Sequence, residues 1–445
     1  MQASVALGQR GRLAALFNNI LHRASRSPHS ERPDPRNLKT FRQTVLGVLV
    51  KRSTRLMQLA QVASELRKVS SVKSAVEALR YFLDKAAFPM ECFATKLLVA
   101  ALRRLEPEDL VTYRGKAVVV IDPTDYPKRS RGKGKRGRHM QYIGRVRKSA
   151  DKAKRVATTF GYRDVWAGLI LKGKQVLPLG RQLYSNAHPK ILGQNQVEEV
   201  VLYHALGLLE QVGLQAIVVA DRGLGRKELL IQMANAGRDF VIRIDPDILV
   251  QPIGRATEVL LGNLLQEAPV LGEGTWDRGQ EGKMSCLVRS VRATIRFSRS
   301  GRKGDFEEGT LTFVQLIPVG GVREPLVLAT TLPVHRLVDA NAIARLYSLR
   351  RRIDTGFETM KGWGLGNFMV RSWQAIERLL WVVAIAYALL ALALKSPKHL
   401  RFCLEAQTLL KRLSVLGRRL TVGKLAEAIG LDYTRNTGSW IALWS

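Results

Sequence analysis

Apolar residues recur at three- and four-residue spacing through the first 112 residues, in LKTFRQTVLGVLV, TRLMQLAQVASEL, SAVEALRYFLDKA and FATKLLVAALRRL. That period predicts amphipathic helices, with Ser, Pro and Asn as breaks, and so a helical domain over residues 1–112. From about residue 113 the period changes. AVVVID (Ala117–Asp122) and AIVVAD (Ala216–Asp221) are short apolar runs ending in an acid, and VWAGLILKGKQVLPLG (Val165–Gly180) reads as two strands about a Gly173–Lys174 turn. Helical stretches at 196–213 and 226–237 flank the second acid run, and DFVIRI (Asp239–Ile244) is a further strand. The alternation predicts an α/β core over 113–244 with at least one parallel strand pair. Residues 245–335 lose the helical rhythm except near ATEVLLGNLLQEA and read as a mainly β insertion. Residues 336–395 return to helix as the second part of the core, and 396–445 form a basic helical region.

From Leu379 to Leu394 the chain reads LLWVVAIAYALLALAL, sixteen uncharged residues between Arg378 and Lys395. A spanning helix needs roughly 18–20, so the expectation is a buried core helix and no membrane. The charge balance points elsewhere. The 445 residues carry 71 Lys+Arg against 37 Asp+Glu, a net charge of +34. An excess of this size fits a polyanionic partner, nucleic acid before a membrane surface. A hydrophobic content of 46% excludes disorder as a description of the whole chain. Cys92, Cys286 and Cys403 share neither disulfide nor zinc spacing, which fits a reducing compartment and a cytoplasmic location, and each is expected to be a small buried hydrophobe. No secretory signal is read at the start. Residues 1–30 hold Arg10, Arg12, Arg23 and Arg26 and no acid, read as a DNA-touching arm, although transit peptides share the pattern.

Asp122 and Asp221 end equivalent apolar runs about a hundred residues apart in sequence. If those strands are neighbours, the two carboxylates meet at one edge, where mutual repulsion suits a bound Mg²⁺. Acids that start a turn or cap a helix would look the same. The segment YSLRRRIDTGFETMK (Tyr347–Lys361) weighs toward a site. On one helix, Tyr347, Arg350, Arg351, Asp354, Glu358 and Lys361 share a sector of about 100°, beside an apolar stripe of Leu346, Ile353, Phe357 and Met360. A surface ladder of ion pairs accounts for the charges but not for the phenol. A carboxylate framed by cations and a phenol can hold a metal and phosphate oxygens together.

The spacing Y-(2)-R-(3)-E-(6)-K, met by Tyr347, Arg350, Asp354 and Lys361, resembles the signature of the bacterial cut-and-paste transposases of the insertion-sequence-four group. These are DDE recombinases, and the resemblance implies an RNase H-like catalytic core with a helical N-terminal domain and a mainly β insertion. It implies catalytic, metal-holding roles for Asp122, Asp221 and Asp354 with two Mg²⁺ ions, Mn²⁺ being able to substitute. Tyr347, Arg350 and Lys361 would bind DNA phosphates. The third acid is Asp where the family has Glu, and Arg351 stands where an aromatic is common. Glu358, one turn on, is the alternative third acid.

The implied reaction is binding of element-end inverted repeats, DNA cleavage and joining of 3′ ends to target DNA by two-metal-ion phosphoryl transfer, in a dimeric complex with double-stranded DNA. The alternatives are an RNase H-fold nuclease that does not join, and a transposase-derived DNA-binding protein without catalysis. Neither a GxSxG elbow nor a P-loop is present, since GKGKRGRH (Gly132–His139) lacks the GK[ST] ending. That segment belongs to a run, Lys128–Arg155, with thirteen Lys+Arg and one acid. Lys128, Arg129, Arg131, Lys133, Lys135, Arg136 and Arg138 are its candidate phosphate contacts.

Overall fold

The computed structural model describes residues 15, 17–20, 33–67, 71–128, 140–147, 158–191, 193–277, 282–298, 305–320, 324–395 and 420–437. The chain opens with helices α1 (Pro35–Lys51), α2 (Leu56–Arg67), α3 (Val72–Asp84) and α4 (Met90–Leu102). Strands β1 (Thr112–Tyr113), β2 (Lys116–Pro127), β3 (Gly144–Arg147), β4 (Thr158–Leu171) and β5 (Gln175–Tyr184) follow, then α5 (Gln194–Glu210), β6 (Ala216–Ala220), α6 (Lys227–Asn235) and β7 (Asp239–Arg243). Next come β8 (Leu249–Pro252), β9 (Val259–Leu260), α7 (Leu261–Glu267), β10 (Val270–Asp277), β11 (Lys283–Phe297), β12 (Glu307–Pro318) and β13 (Leu326–Thr330). The last elements are α8 (Leu337–Ser348), α9 (Arg351–Gly362), α10 (Trp373–Ala393) and α11 (Val422–Arg435). Two compact units result, one from residues 111–122 and 214–354, the other from 1–110, 123–213 and 355–445.

The first of these is built on a mixed sheet. β2 and β6 run parallel, with Ala117 to Ile121 opposite Ala216 to Ala220, and β6 pairs in parallel with β7. The sheet then turns antiparallel through β13, β12 and β11. The β-rich segment after residue 245 therefore continues the sheet that carries the two acid runs. β2, β6 and β7 are near-continuous Val, Ile and Ala because parallel strands are covered on both faces, and Val118–Ile121 and Ile217–Ala220 are all buried. Helix α8 packs on β6, β7 and β10.

The other unit gathers its helices around α10. Most of α10 is buried, and it packs against α1, α3, α4 and β5, as expected of the apolar run. The span is 21 residues and apolar enough to cross a membrane by length and composition, but 94% of its hydropathic window is inside the protein. Its one buried cation, Arg378, donates to the carbonyls of Phe82, Leu83, Ala86 and Phe88. Those carbonyls lie at and just beyond the carboxyl end of α3, where helix carbonyls lack partners and favour a positive charge. Around the same place Phe41 stacks on Phe88, while Phe93 meets both and Phe82 meets Phe88 edge to face. In the strand layer, Asp164 and Arg181 form a wholly buried ion pair at 2.7 Å. Trp166 and Tyr126 also donate to Asp164, and burial of this carboxyl is tolerable because its lone pairs are used.

Two sequence expectations are modified. The segment Tyr347–Lys361 is not one helix: α8 ends at Ser348, and α9 starts at Arg351. Leu349, Arg350, Arg352 and Ile353 instead bond to carbonyls three residues back, a tighter turn that 3.6-residue periodicity cannot reveal. Cys92 is exposed, whereas Cys286 is buried as expected. Cys403 and residues 411–419 of the basic carboxyl-terminal region lie outside the described residues.

Candidate functional site

Because β2 and β6 are parallel and Ile121 faces Ala220, the next residue on each strand is an acid at the same level. Asp122 and Asp221 thus stand side by side where the β2–β6 pairing ends: Asp221 follows the last residue of β6, whereas β2 runs on past Asp122 to Pro127, further than the apolar run predicts. Asp122 is buried and Asp221 partly so. Asp221 also precedes a short helical turn, Arg222–Leu224. The loop leaving it presses on β7: a Cβ on Gly225 would lie 2.7 Å from the Arg243 carbonyl oxygen. Only glycine fits there.

The tightened turn between α8 and α9 delivers Arg350 to the pair. Its Nη1 donates to Asp122 Oδ1 at 2.7 Å, and its Nη2 lies 3.7 Å from Asp221 Oδ2. One turn earlier, the buried Tyr347 donates its hydroxyl to Asp221 Oδ1 at 3.0 Å. Asp354, in the first turn of α9, is half-buried and its charge acts on both Asp122 and Arg350. One guanidinium therefore bridges the carboxylates of two adjacent strands, with a phenol on one and a third acid nearby.

The two carboxyls are held in different states. Burial pushes Asp122 up to about 7; Arg350 opposes the rise, and the charges of Asp354 and Asp221 add to it. Burial also acts to raise Asp221, but Arg350, the Arg222 backbone N–H, the Tyr347 hydroxyl and Arg243 together hold it below the usual carboxylate range. Tyr347 is raised to about 12 by burial and then by Asp221, so its proton stays on as a donor. Arg350 loses some basicity to burial and regains more from Asp122 and Asp221.

The donor set for a cation is all oxygen, which suits a hard divalent ion. Among the described residues no three His, Cys, Asp or Glu side chains stand close enough to make a ready metal cage. The bridging position is taken by the Arg350 guanidinium. The set fits a divalent ion by its chemistry, with a positive charge already standing between the acids.

The remaining sequence candidates belong to the other compact unit or lie outside the described residues. Lys361 is exposed at the last turn of α9 and belongs to the other compact unit, as does exposed Glu358. Lys128 is turned inward: its ammonium donates to the carbonyls of Gly366 and Phe368 and lies 3.1 Å from the Phe368 ring centroid, and burial draws it down to about 7. Arg129, Arg131, Lys133, Lys135, Arg136 and Arg138 lie outside the described residues. Sequence reading missed Arg243 and Gly225. A cation at the end of the strand beside AIVVAD was the available signal for the first, and the second shows only in the packing.

The model of the transposase DDE domain family matches residues 190–389. That range contains Asp221, Tyr347, Arg350, Asp354 and Lys361 and starts beyond Asp122. The match supports a DDE transposase, a DNA-processing class that generally uses divalent metal ions, and the mixed α/β architecture with its large mixed sheet fits that domain. A comparison with curated proteins found no match.

Proposed function

We propose that the chain is a DNA transposase of the insertion-sequence-four type with an RNase H-like core. It binds element-end inverted repeats as a dimer, cleaves the DNA and joins the 3′ ends to a target. The observation that carries this reading is the bridge of Arg350 across Asp122 and Asp221, with Tyr347 on the second acid. Asp122 and Asp221, with Asp354 as third acid, would hold divalent cations, Mg²⁺ first. Bound there, the ions supply Lewis-acid stabilisation of charge on the phosphate and the leaving oxygen.

The side chains do the positioning. Arg350 presents a planar fork whose match to a carboxylate is equally a match to a phosphate, so it binds a nonbridging oxygen at the cut site. Tyr347 keeps its proton and donates to the same anion. Lys361 and the cations of the basic run after Lys128, from Arg129 to Arg155, add phosphate contacts that give affinity without reading sequence. No covalent enzyme nucleophile is needed, since phosphoryl transfer rests on positioning and charge.

The test is to incubate the purified protein in Mg²⁺ with DNA carrying the ends that flank its coding region, plus a target plasmid. Joined products support transposition. Cut but unjoined ends support a nuclease, and DNA bound but never cut supports a non-catalytic descendant, the outcome that the Asp in place of Glu at 354 would explain.

A further inference from the structure

A second feature lies wholly within the unit built around α10. Tyr142, His188 and Trp373 come from three distant stretches and form one ring cluster. Tyr142 and His188 centroids are 4.5 Å apart, His188 and Trp373 also 4.5 Å, and Tyr142 and Trp373 6.0 Å. All three are only half-buried. A core cluster would be closed, like the phenylalanines under α10; this one is open to solvent. Gln141, next to Tyr142, ties that residue to the Trp373 segment: its backbone N–H donates to the Arg371 carbonyl and its side-chain oxygen accepts from the Trp373 backbone N–H.

The surroundings are cationic and concave. Arg145, Lys190 and Arg371 are exposed within three residues of the rings. Gly144 and Arg145 on β3, with Ser185 and Asn186 after β5, line a polar cavity of about 230 Å³. These residues are two to three positions from Tyr142 and His188. The close approach is built in: a Cβ on Gly144 would lie 2.2 Å from Asn186 Oδ1. His188 Nδ1 accepts the Lys190 backbone N–H, as a neutral imidazole does. In duplex DNA the base faces are covered by their neighbours, so rings of this kind have nothing to stack on there. Cations with stacking rings and an adjoining polar cavity suit an unpaired nucleotide: base on ring, phosphate on cation, base edge in the cavity.

We infer that the Tyr142–His188–Trp373 cluster, with Arg145 and the cavity beside it, is a binding site for unpaired DNA nucleotides. This rests on the reading of the chain as a DNA-processing protein but concerns a site apart from the acids. The test uses the full chain and fluorescence anisotropy on two labelled hairpin duplexes, one blunt and one with a five-nucleotide 3′ thymidine tail. The tail tightens wild-type binding by roughly 10-fold, the scale of base–aromatic stacking, and an abasic tail gives no gain. Tyr142→Ala and Trp373→Ala lose most of that gain while binding the blunt duplex as wild type does; Tyr142→Phe keeps it.

Photocrosslinking of a 5-iododeoxyuridine tail to wild-type protein, mapped by peptide mass spectrometry, finds Tyr142 or Trp373 independently of any folding defect in the variants. A tail that adds nothing, variants that retain the gain, crosslinks elsewhere, or tighter binding of the same tail as RNA would each overturn the inference. A protein that cuts and joins DNA without the tail gain sinks this site alone. One that shows the gain but never cuts removes the proposed catalysis and leaves the site standing.

Discussion

Arg350 donates to Asp122 at 2.7 Å while its second terminal nitrogen stands 3.7 Å from Asp221. A single side chain from the turn between α8 and α9 thereby reaches both acids, and removal of that side chain should be felt in stability as well as in phosphate binding. Arg350→Ala leaves a carboxyl that is 8% exposed without its charged donor, at an expected cost of about 2 kcal/mol. Arg350→Lys should recover only part, because an ammonium cannot span both acids. Urea unfolding in chelator measures both; equal midpoints for wild type and Arg350→Ala would show that the bridge carries no weight.

A pH signature follows from Asp122. Its folded value of about 7 lies above its ordinary 3.8, so between those limits the folded protein keeps a proton that the unfolded chain has released. The stability this group contributes is complete below pH 3.8 and lost as pH rises through 7. Asp122→Asn cannot ionise. In chelator, the variant should gain stability relative to wild type between pH 5 and pH 8, and a constant difference across that range would contradict the assignment.

Gly225 should tolerate no side chain. Ala at this position meets the Arg243 carbonyl at 2.7 Å and Ile244 Cγ2 at 3.0 Å, and the backbone must shift to relieve it. The expected loss is about 1–3 kcal/mol, with Asp221 displaced from Tyr347. Thermal unfolding checks the first part. Unchanged unfolding would mean that the loop carrying Asp221 is not pinned on β7.

The buried Asp164–Arg181 pair should behave asymmetrically. Neither side chain is exposed at all, so Asp164→Ala alone strands a guanidinium and costs about 3–5 kcal/mol. The double replacement Asp164→Leu with Arg181→Met should recover most of that loss. A double variant as unstable as the single one would show that the hydrogen bonds from Trp166 and Tyr126, rather than the charges, carry the site.

Much of this was legible in the sequence, and the reason is local. AVVVID and AIVVAD could be read as buried parallel strands because both faces must be apolar, and equal run lengths brought their acids level once the strands paired. The apolar helix was readable from its length. Tyr347 and Arg350 were found by spacing, but not the turn between the helices that aims Arg350, since bonds three residues back leave no mark on an apolar period. Nor did the sequence show Lys128 turned inward onto two carbonyls and a ring, because a lysine in a basic run looks like its neighbours. The ring cluster was invisible for a different reason: Tyr142, His188 and Trp373 are brought together only by tertiary packing.

The most direct measurement is DNA cleavage and joining in Mg²⁺ by wild type beside Asp221→Asn, with binding to the same end-containing DNA followed in parallel. Wild type should cut and join, while the variant should bind with similar or greater affinity and form no product. A variant that cuts as wild type does, or a wild-type protein that binds these ends and never cuts them, would contradict a catalytic role for Asp122 and Asp221.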